Sequence, residues 1–291
     1  MNFELRNTVI GYPGHVVAGP MTASLREGEV CCLLGANGAG KSTLLRTLAA
    51  FQPPLSGELW IGERPIKDIA PRELSTLVGI VLTDRIRTQG ISVRDMVAMG
   101  RSPYTNFWGK LTEEDNRLVE EAMELVNITS FANRQISTLS DGERQKVMIA
   151  KALAQGTPII LLDEPTAFLD FPSKVEIMLL LGRLAHEMNK TIFLSTHDLD
   201  LALQTADSLW LMAKRVKGEP MEQRGQSDVY INYAESRQRK TEGQELGVKN
   251  GAFAVGTPSE LSELLPTFFP SEHLVFDRET LRFRIKETEK N

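Results

Sequence analysis

Cysteine is nearly absent from this chain, with 2 residues in 291, and both lie side by side as Cys31 and Cys32. A disulfide framework of the kind that staples small secreted domains is therefore not its organising device. In the run Val30-Cys31-Cys32-Leu33-Leu34 the pair reads as small buried residues on a strand, with a redox or metal role as the other reading. Long apolar runs are also missing: no stretch approaches the ~20 residues a helix needs to cross a bilayer. Any membrane association is then expected to be peripheral, through a partner. The first residues, Met1-Asn2-Phe3-Glu4-Leu5-Arg6, lack the basic start and apolar run of a signal peptide, and a cytoplasmic setting is expected. Nor is there an excess of basic charge. The formal net charge of -5 argues against a nucleic-acid partner. No long internal repeat is visible, so a single unit is expected.

What remains is the ordinary composition of a globular protein, 42% hydrophobic and 24% charged, at a length suited to one large α/β domain with additions. Residues 1 to 85 alternate short apolar runs with Gly and Pro turns, as strands do. Val30 to Leu34 leads directly into Gly35-Ala36-Asn37-Gly38-Ala39-Gly40-Lys41-Ser42-Thr43, after which Leu44, Leu45 and Leu48 recur at helical spacing. Strand, glycine loop and helix is the order a phosphate-binding loop requires. Gly35, Gly38 and Gly40 allow consecutive backbone N–H groups to face phosphates. Lys41 can reach the β- and γ-phosphates of ATP, Ser42 can ligate Mg²⁺, and Thr43 is placed toward the α-phosphate.

A second apolar run, Ile159-Ile160-Leu161-Leu162, delivers Asp163 and Glu164 to a strand end, the edge at which α/β sheets bind ligands. Asp163 suits the Mg²⁺ shell, and Glu164 can orient or activate an attacking water. Alone, such an acid pair can equally cap a helix. Followed by Pro165-Thr166 and preceded by a phosphate loop, it favours the catalytic role. Between the two motifs, about 86 to 157 reads as mostly helical, with a helix start at Thr112-Glu113-Glu114-Asp115. Ser173 to Glu187 has helical spacing, and Thr191 to Ser195 reads as a buried strand. Lys214 to Asn250 turns polar and reads as a solvated insertion, with a basic patch for anionic lipid (Arg237, Arg239, Lys240) as the other reading. Beyond it, Leu274–Asp277 and Leu281–Ile285 flank a polar turn and are expected to form a hairpin.

Leu139-Ser140-Asp141-Gly142-Glu143-Arg144-Gln145 resembles the signature of ATP-binding-cassette (ABC) ATPases. The likeness runs from about Phe3 to Met212 and resumes near Gly256-Thr257-Pro258. It implies a P-loop NTPase ABC ATPase core of α/β class, with an inserted helical subdomain (about 86–157) and a small C-terminal extension. The ATPase domain would span 1–250, including a polar insertion at about 214–250, and the extension 251–291.

In that family the signature of one subunit closes over nucleotide held by the other, so the resemblance implies a homodimer in which Ser140, Gly142 and Glu143 act in trans. Phe168-Leu169-Asp170 resembles the D-loop along that interface, with Asp170 beside the nucleotide. Ser195-Thr196-His197-Asp198 resembles the switch-histidine segment, in which His197 contacts the γ-phosphate and helps position Glu164 and the water; a buried structural histidine is the other reading. Tyr12 sits where the family places an aromatic on adenine, with a core aromatic as the alternative. Asp141 and Glu143 replace the commoner glycine and glutamine, and closure is expected to need Arg144 or Lys146 nearby. Thr83 stands where the family has the Q-loop glutamine that senses Mg²⁺. Asp84 is a possible substitute, and Gln89 is out of place.

Ser92-Val93-Arg94-Asp95-Met96-Val97-Ala98-Met99-Gly100-Arg101-Ser102-Pro103-Tyr104 is similar to the helical region of importers for iron–siderophore complexes, haem and cobalamin. A plain amphipathic helix ending at Gly100 is the bland reading. The importer resemblance implies two membrane-spanning permease subunits, a separate substrate-binding protein acting indirectly, and a peripheral location on the cytoplasmic face of the inner membrane. A soluble ABC-type ATPase or regulator is the alternative.

Overall fold

The computed structural model describes residues 1–82, 90–106, 108–214, 230–232, 253–269, 274–277 and 280–285. Strand β3 (Val30–Gly35) is buried along its whole length, and its alternate side chains enter different cores. Cys31 and Leu33 pack with Leu44, Leu45 and Leu48 of α1 (Lys41–Leu48) and with Phe3 and Leu5 of β1 (Phe3–Tyr12). Cys32 and Leu34 pack on the opposite side with Leu180 and Leu181 of α6 (Phe171–His186) and Ala150 of α5 (Asp141–Gln155). A strand covered on both faces belongs inside a layered α/β sheet. Burial pushes both thiols upward, which keeps them protonated and unreactive. No cluster of three or more His, Cys, Asp or Glu among the described residues could hold a metal ion. The cysteine pair is thus packing material.

That sheet has the order β10-β11-β9-β3-β8-β7-β6, with β6 (Val78–Val81), β7 (Ile159–Leu162), β8 (Thr191–Ser195), β9 (Ser208–Met212), β10 (Tyr230–Asn232) and β11 (Phe253–Gly256). The pairs of β3, β6, β7, β8 and β9 are parallel, and only β11 runs against its neighbour β9. A second sheet, β2-β1-β4-β5, is antiparallel and is built from β1, β2 (His15–Leu25), β4 (Ser56–Ile61) and β5 (Arg64–Pro65). The register Leu33↔Ser195 and Leu162↔Leu194 brings the C-terminal ends of β3, β7 and β8 level. Everything that follows those ends in sequence is therefore delivered to one edge.

The helical excursion leaves at β6 and returns at β7, two strands paired through Val78↔Ile159. Its helices α3 (Val93–Ala98), α4 (Glu113–Leu125) and α5 pack on one another. Thr112 caps α4 through a reciprocal capping box with Asp115, as the sequence pattern predicts. The Gly100-to-Tyr104 run proves to be more than a helix stop. A Cβ on Gly100 would lie 2.2 Å from the Lys151 carbonyl, so only glycine permits this approach to α5. Arg101 then donates to Asp115 Oδ1 (2.8 Å) and to the Ala154 carbonyl (2.8 Å), with its guanidinium 3.9 Å from the Tyr104 ring centroid. The Tyr104 hydroxyl donates to the Gln155 carbonyl at 2.9 Å. The motif therefore supplies donors to the unpaired carbonyls at the end of α5.

Two segment boundaries differ from the sequence reading. The polar stretch 214–250 contributes strand β10, parallel to β11, and apart from Lys214 the rest of it lies outside the described residues, Arg237, Arg239 and Lys240 included. Phe253–Gly256 belongs to the main sheet, where Phe253 packs edge-on against Trp210 at 5.4 Å. The part that extends beyond the sheet thus begins after Gly256. Its hairpin pairs β12 (Leu274–Asp277) with β13 (Arg282–Ile285), close to the expected limits.

Candidate functional site

The loop between β3 and α1 is shaped by close approaches as much as by backbone freedom. Gly35 keeps an ordinary φ, but a Cβ there would lie 2.5 Å from the Met212 carbonyl. Gly40 caps α1 with φ 108, and a Cβ would meet Val17 Cγ1 at 2.3 Å. No side chain caps α1 and its first turn holds no acid, which leaves its leading N–H groups to an anion. Asn37 and Gly38 are exposed, whereas Ala39 is buried, so its contribution to the loop is its backbone. Ser42 is exposed on the first turn of α1 and Thr43 is buried.

Lys41 is 7% exposed, and its Nζ donates to the Gly35 carbonyl at 2.9 Å, folded back across the loop. Burial lowers its pKa, and the negative charges of Glu164 and Asp163 oppose that shift. Tyr12 is 44% exposed on the β1–β2 hairpin, with Val16 and Val17 following on the partner strand and Val17 against Gly40. Its exposure at the end of the hairpin removes the core-aromatic reading.

The acid pair emerges from β7 at the same edge. Asp163 N donates to the Val81 carbonyl at 2.8 Å, and Asp163 Oδ1 accepts from Ser195 Oγ at 2.7 Å. Glu164 N donates to the same Ser195 hydroxyl at 3.0 Å, with Glu164 held at φ 46. The Glu164 carboxylate contacts His197 Nε2, which comes from the segment after β8. A turn follows, closed by Ala167 N to the Glu164 carbonyl at 3.0 Å, so the pair caps no helix. That task falls to Asp170, whose side chain accepts from Ser173 N at 3.2 Å; the bonds from Ser173 also hold its pKa down. With its side chain 45% exposed, His197 is not a buried structural histidine. Thr83, Asp84 and Gln89 lie outside the described residues.

The signature heads α5. Ser140 is its N-cap: the hydroxyl accepts from Glu143 N (3.2 Å) and donates to Glu143 Oε2 (3.0 Å), which also accepts from Ser140 N (2.8 Å). Those bonds, led by the one from the Ser140 N–H, lower the Glu143 pKa, and Arg134 adds a salt bridge at 3.3 Å. Asp141 pairs with Arg144 at 2.6 Å, as anticipated, whereas Lys146 is committed to Glu176 at 2.6 Å. Both signature acids are therefore offset within the subunit, one of them by an arginine that the sequence reading did not consider. Gly142 faces α6, where a Cβ would lie 3.3 Å from Ser173 Oγ. On either side of Asp170, Phe168 (72%) and Phe171 (69%) are exposed.

Sequence reasoning placed Ser195 only within the switch-histidine segment, without a role of its own, and missed Lys214. A hydroxyl at the C-terminal end of the apolar run Ile192-Phe193-Leu194, the edge to which the acid pair is also delivered, was a usable signal. Lys214 had no such signal; it lies over the phosphate loop, with Cε 3.7 Å from the position of a Cβ on Gly38.

The family model described as ABC transporter matches residues 19–167. An uncharacterized ABC transporter ATP-binding protein of Methanocaldococcus jannaschii is 42% identical over 209 residues, 72% of each chain. The ferric enterobactin transport ATP-binding protein FepC of Escherichia coli is 36% identical over 200 residues, 69% of this chain and 74% of its own. Among solved structures, a dimeric bacterial ABC transporter cassette is 27% identical with a TM-score of 0.63, covering 77% of this chain and 99% of that one.

Proposed function

The chain belongs to the ABC transporter family of ATP-binding, ATP-hydrolysing subunits, and from that premise we propose that it powers import of an iron–siderophore, haem or cobalamin type ligand through membrane-spanning partners. The observation that carries the catalytic part is the delivery to one sheet edge of Lys41, held on the Gly35 carbonyl at the end of β3, of Asp163 at the end of β7, and of the Glu164–His197 contact. In this reading Lys41 leaves the Gly35 carbonyl for the β- and γ-phosphates. The loop N–H groups and the head of α1 hold the phosphates, and Tyr12 stacks on adenine. Glu164 orients the attacking water, and His197 holds the Glu164 carboxylate and reaches the γ-phosphate.

Ser42 and Asp163 offer hard oxygen donors and no soft ligand, a set that fits Mg²⁺ shared with nucleotide phosphates. The cation would neutralise phosphate charge there. Ser140, Gly142 and Glu143 act on the nucleotide of a second copy, and Asp170 lies along the same interface. For this, the Ser140 hydroxyl proton must turn from Glu143 to the partner's phosphate.

A groove of about 710 Å³, lined by Phe51, Pro54, Leu59, Ile69, Leu74 and Gln155 among others, is the docking surface we assign to a permease segment. Gln155 also donates to the Ser75 carbonyl at 2.5 Å, so the groove wall and the end of the signature helix share a residue. No helix among the described residues is long and apolar enough to cross a membrane. Attachment to the cytoplasmic face of the cell membrane then runs through the permease pair. FepC carries ferric enterobactin transport in its name, and the Gly100-to-Tyr104 motif supports the same branch.

The test compares wild type and Glu164→Gln for Mg²⁺-dependent ATP hydrolysis and ATP-driven dimerisation in the same samples. Turnover is expected to fall by at least about a hundredfold, with an ATP-held dimer accumulating. Unaltered hydrolysis in the variant rejects Glu164 as the catalytic carboxylate. For the transported ligand, a deletion strain is assayed for uptake of labelled ferric siderophore, haem and cobalamin; normal uptake of all three rejects the importer assignment.

A further inference from the structure

We infer that Ser195 is a positioning residue that locks Asp163 and Glu164 into one mutual orientation, a role resting on the catalytic reading of those two acids. Its side chain is fully buried at the end of β8. A hydroxyl has one proton to give. The Glu164 N–H is a donor, so Ser195 Oγ accepts there at 3.0 Å, and its own proton goes to Asp163 Oδ1 at 2.7 Å. Both directions are thereby fixed by chemistry.

The consequences are geometric. With Oδ1 engaged, the rotation of the Asp163 carboxylate is set. Glu164 sits at φ 46, a region that costs a non-glycine residue energy unless its surroundings hold it there. The bond from its N–H to Ser195 is such a hold. Two residues on, His197 grips the Glu164 side chain, so one short segment fixes both the backbone and the carboxylate of the same residue. That segment is tied in turn to the phosphate-loop strand, through Thr196 N to the Leu33 carbonyl at 3.2 Å. Ser195 thus relates the two acids to each other and to the loop without touching nucleotide itself.

The test uses the full chain as wild type, Ser195→Ala, Ser195→Thr, Asp163→Asn and Glu164→Gln. Three quantities are read: kcat and KM for ATP, the affinity for a fluorescent ATP analogue with Mg²⁺ and with EDTA, and the melting temperature. Ser195→Ala is expected to lower kcat about tenfold or more, the equivalent of one lost oriented hydrogen bond, with KM changed less than about twofold. It should also shrink the gain in analogue affinity on adding Mg²⁺ while leaving the EDTA value unchanged, and Ser195→Thr should restore both. If Ser195→Ala keeps wild-type kcat and Mg²⁺ gain while Asp163→Asn loses the Mg²⁺ gain and Glu164→Gln loses kcat, the positioning role is overturned and the acids keep their roles. A lowered melting temperature with kcat intact below it likewise reduces Ser195 to packing. If Asp163→Asn and Glu164→Gln also behave as wild type, the underlying reading of the site fails first.

Discussion

Removing Arg101 should cost the fold several kcal/mol, most of it through the carboxylate left behind. The side chains of Arg101 and Asp115 are 8% and 6% exposed, and their contact is 2.8 Å. Truncating one partner of a buried pair costs about 3–5 kcal/mol. Asp115 keeps the Thr112 N–H (2.9 Å) and hydroxyl (2.7 Å) on Oδ2, which puts its share at the lower end, about 3 kcal/mol. The Ala154 carbonyl also loses its donor, adding about 1 kcal/mol. Arg101→Leu is therefore expected to lose about 4 kcal/mol in urea unfolding at neutral pH. Asp115→Asn keeps an acceptor for the α4 cap, so the double variant buries no unpaired charge. Its loss should be about 2 kcal/mol smaller than the sum of the single losses. The reasoning is refuted if Arg101→Leu stays within about 1 kcal/mol of wild type, or if the two losses simply add.

Three further outcomes follow from the structure. Asp115, whose ordinary value is 3.8, is held down to about 2, chiefly by the Thr112 N–H and hydroxyl and then by Arg101. A depressed carboxylate stabilises the fold above its unfolded pKa, and that share disappears as pH falls from about 4 toward 2; the slope of stability against pH in this window should flatten in Asp115→Asn. The Glu143 carboxylate, also lowered, adds acid sensitivity in the same direction at the head of α5. Tyr12→Ala should weaken ATP binding about three- to tenfold while Tyr12→Phe stays near wild type, because the ring and not the hydroxyl does the stacking. Equal affinity of Tyr12→Ala and wild type for a fluorescent ATP analogue would remove the adenine role.

Much of the site was legible because each motif combines a local signal with a local cause. An apolar run ending in glycines, and another ending in two acids, state which backbone conformations and which chemistry come next. Ser140, Asp170 and Asp198 are each small polar residues at the head of a helix, and each caps it. What escaped were pairings between residues distant in sequence. Arg134 meets Glu143, Lys146 meets Glu176 and Ser195 meets Asp163, and no spacing rule predicts those partners. The same limit explains Tyr12, whose type allowed either a core or a rim position until β1 and β2 were paired. It explains β11 as well: four residues cannot announce which sheet edge they will join.

The sequence alone determined the class of chemistry and its parts: a phosphate loop, an acid pair at a strand end, a signature and the family they resemble. These rest on short-range rules of backbone freedom, burial and residue type, so they survive without a structure. Only the tertiary fold decided that β3, β7 and β8 end level, which turns separate motifs into one site. It also decided that the Gly100-to-Tyr104 run closes the far end of the signature helix, and that one buried hydroxyl joins the two acids. Register and side-chain partnership are properties of the packed chain, because each is fixed by surfaces that meet only once the whole core has closed.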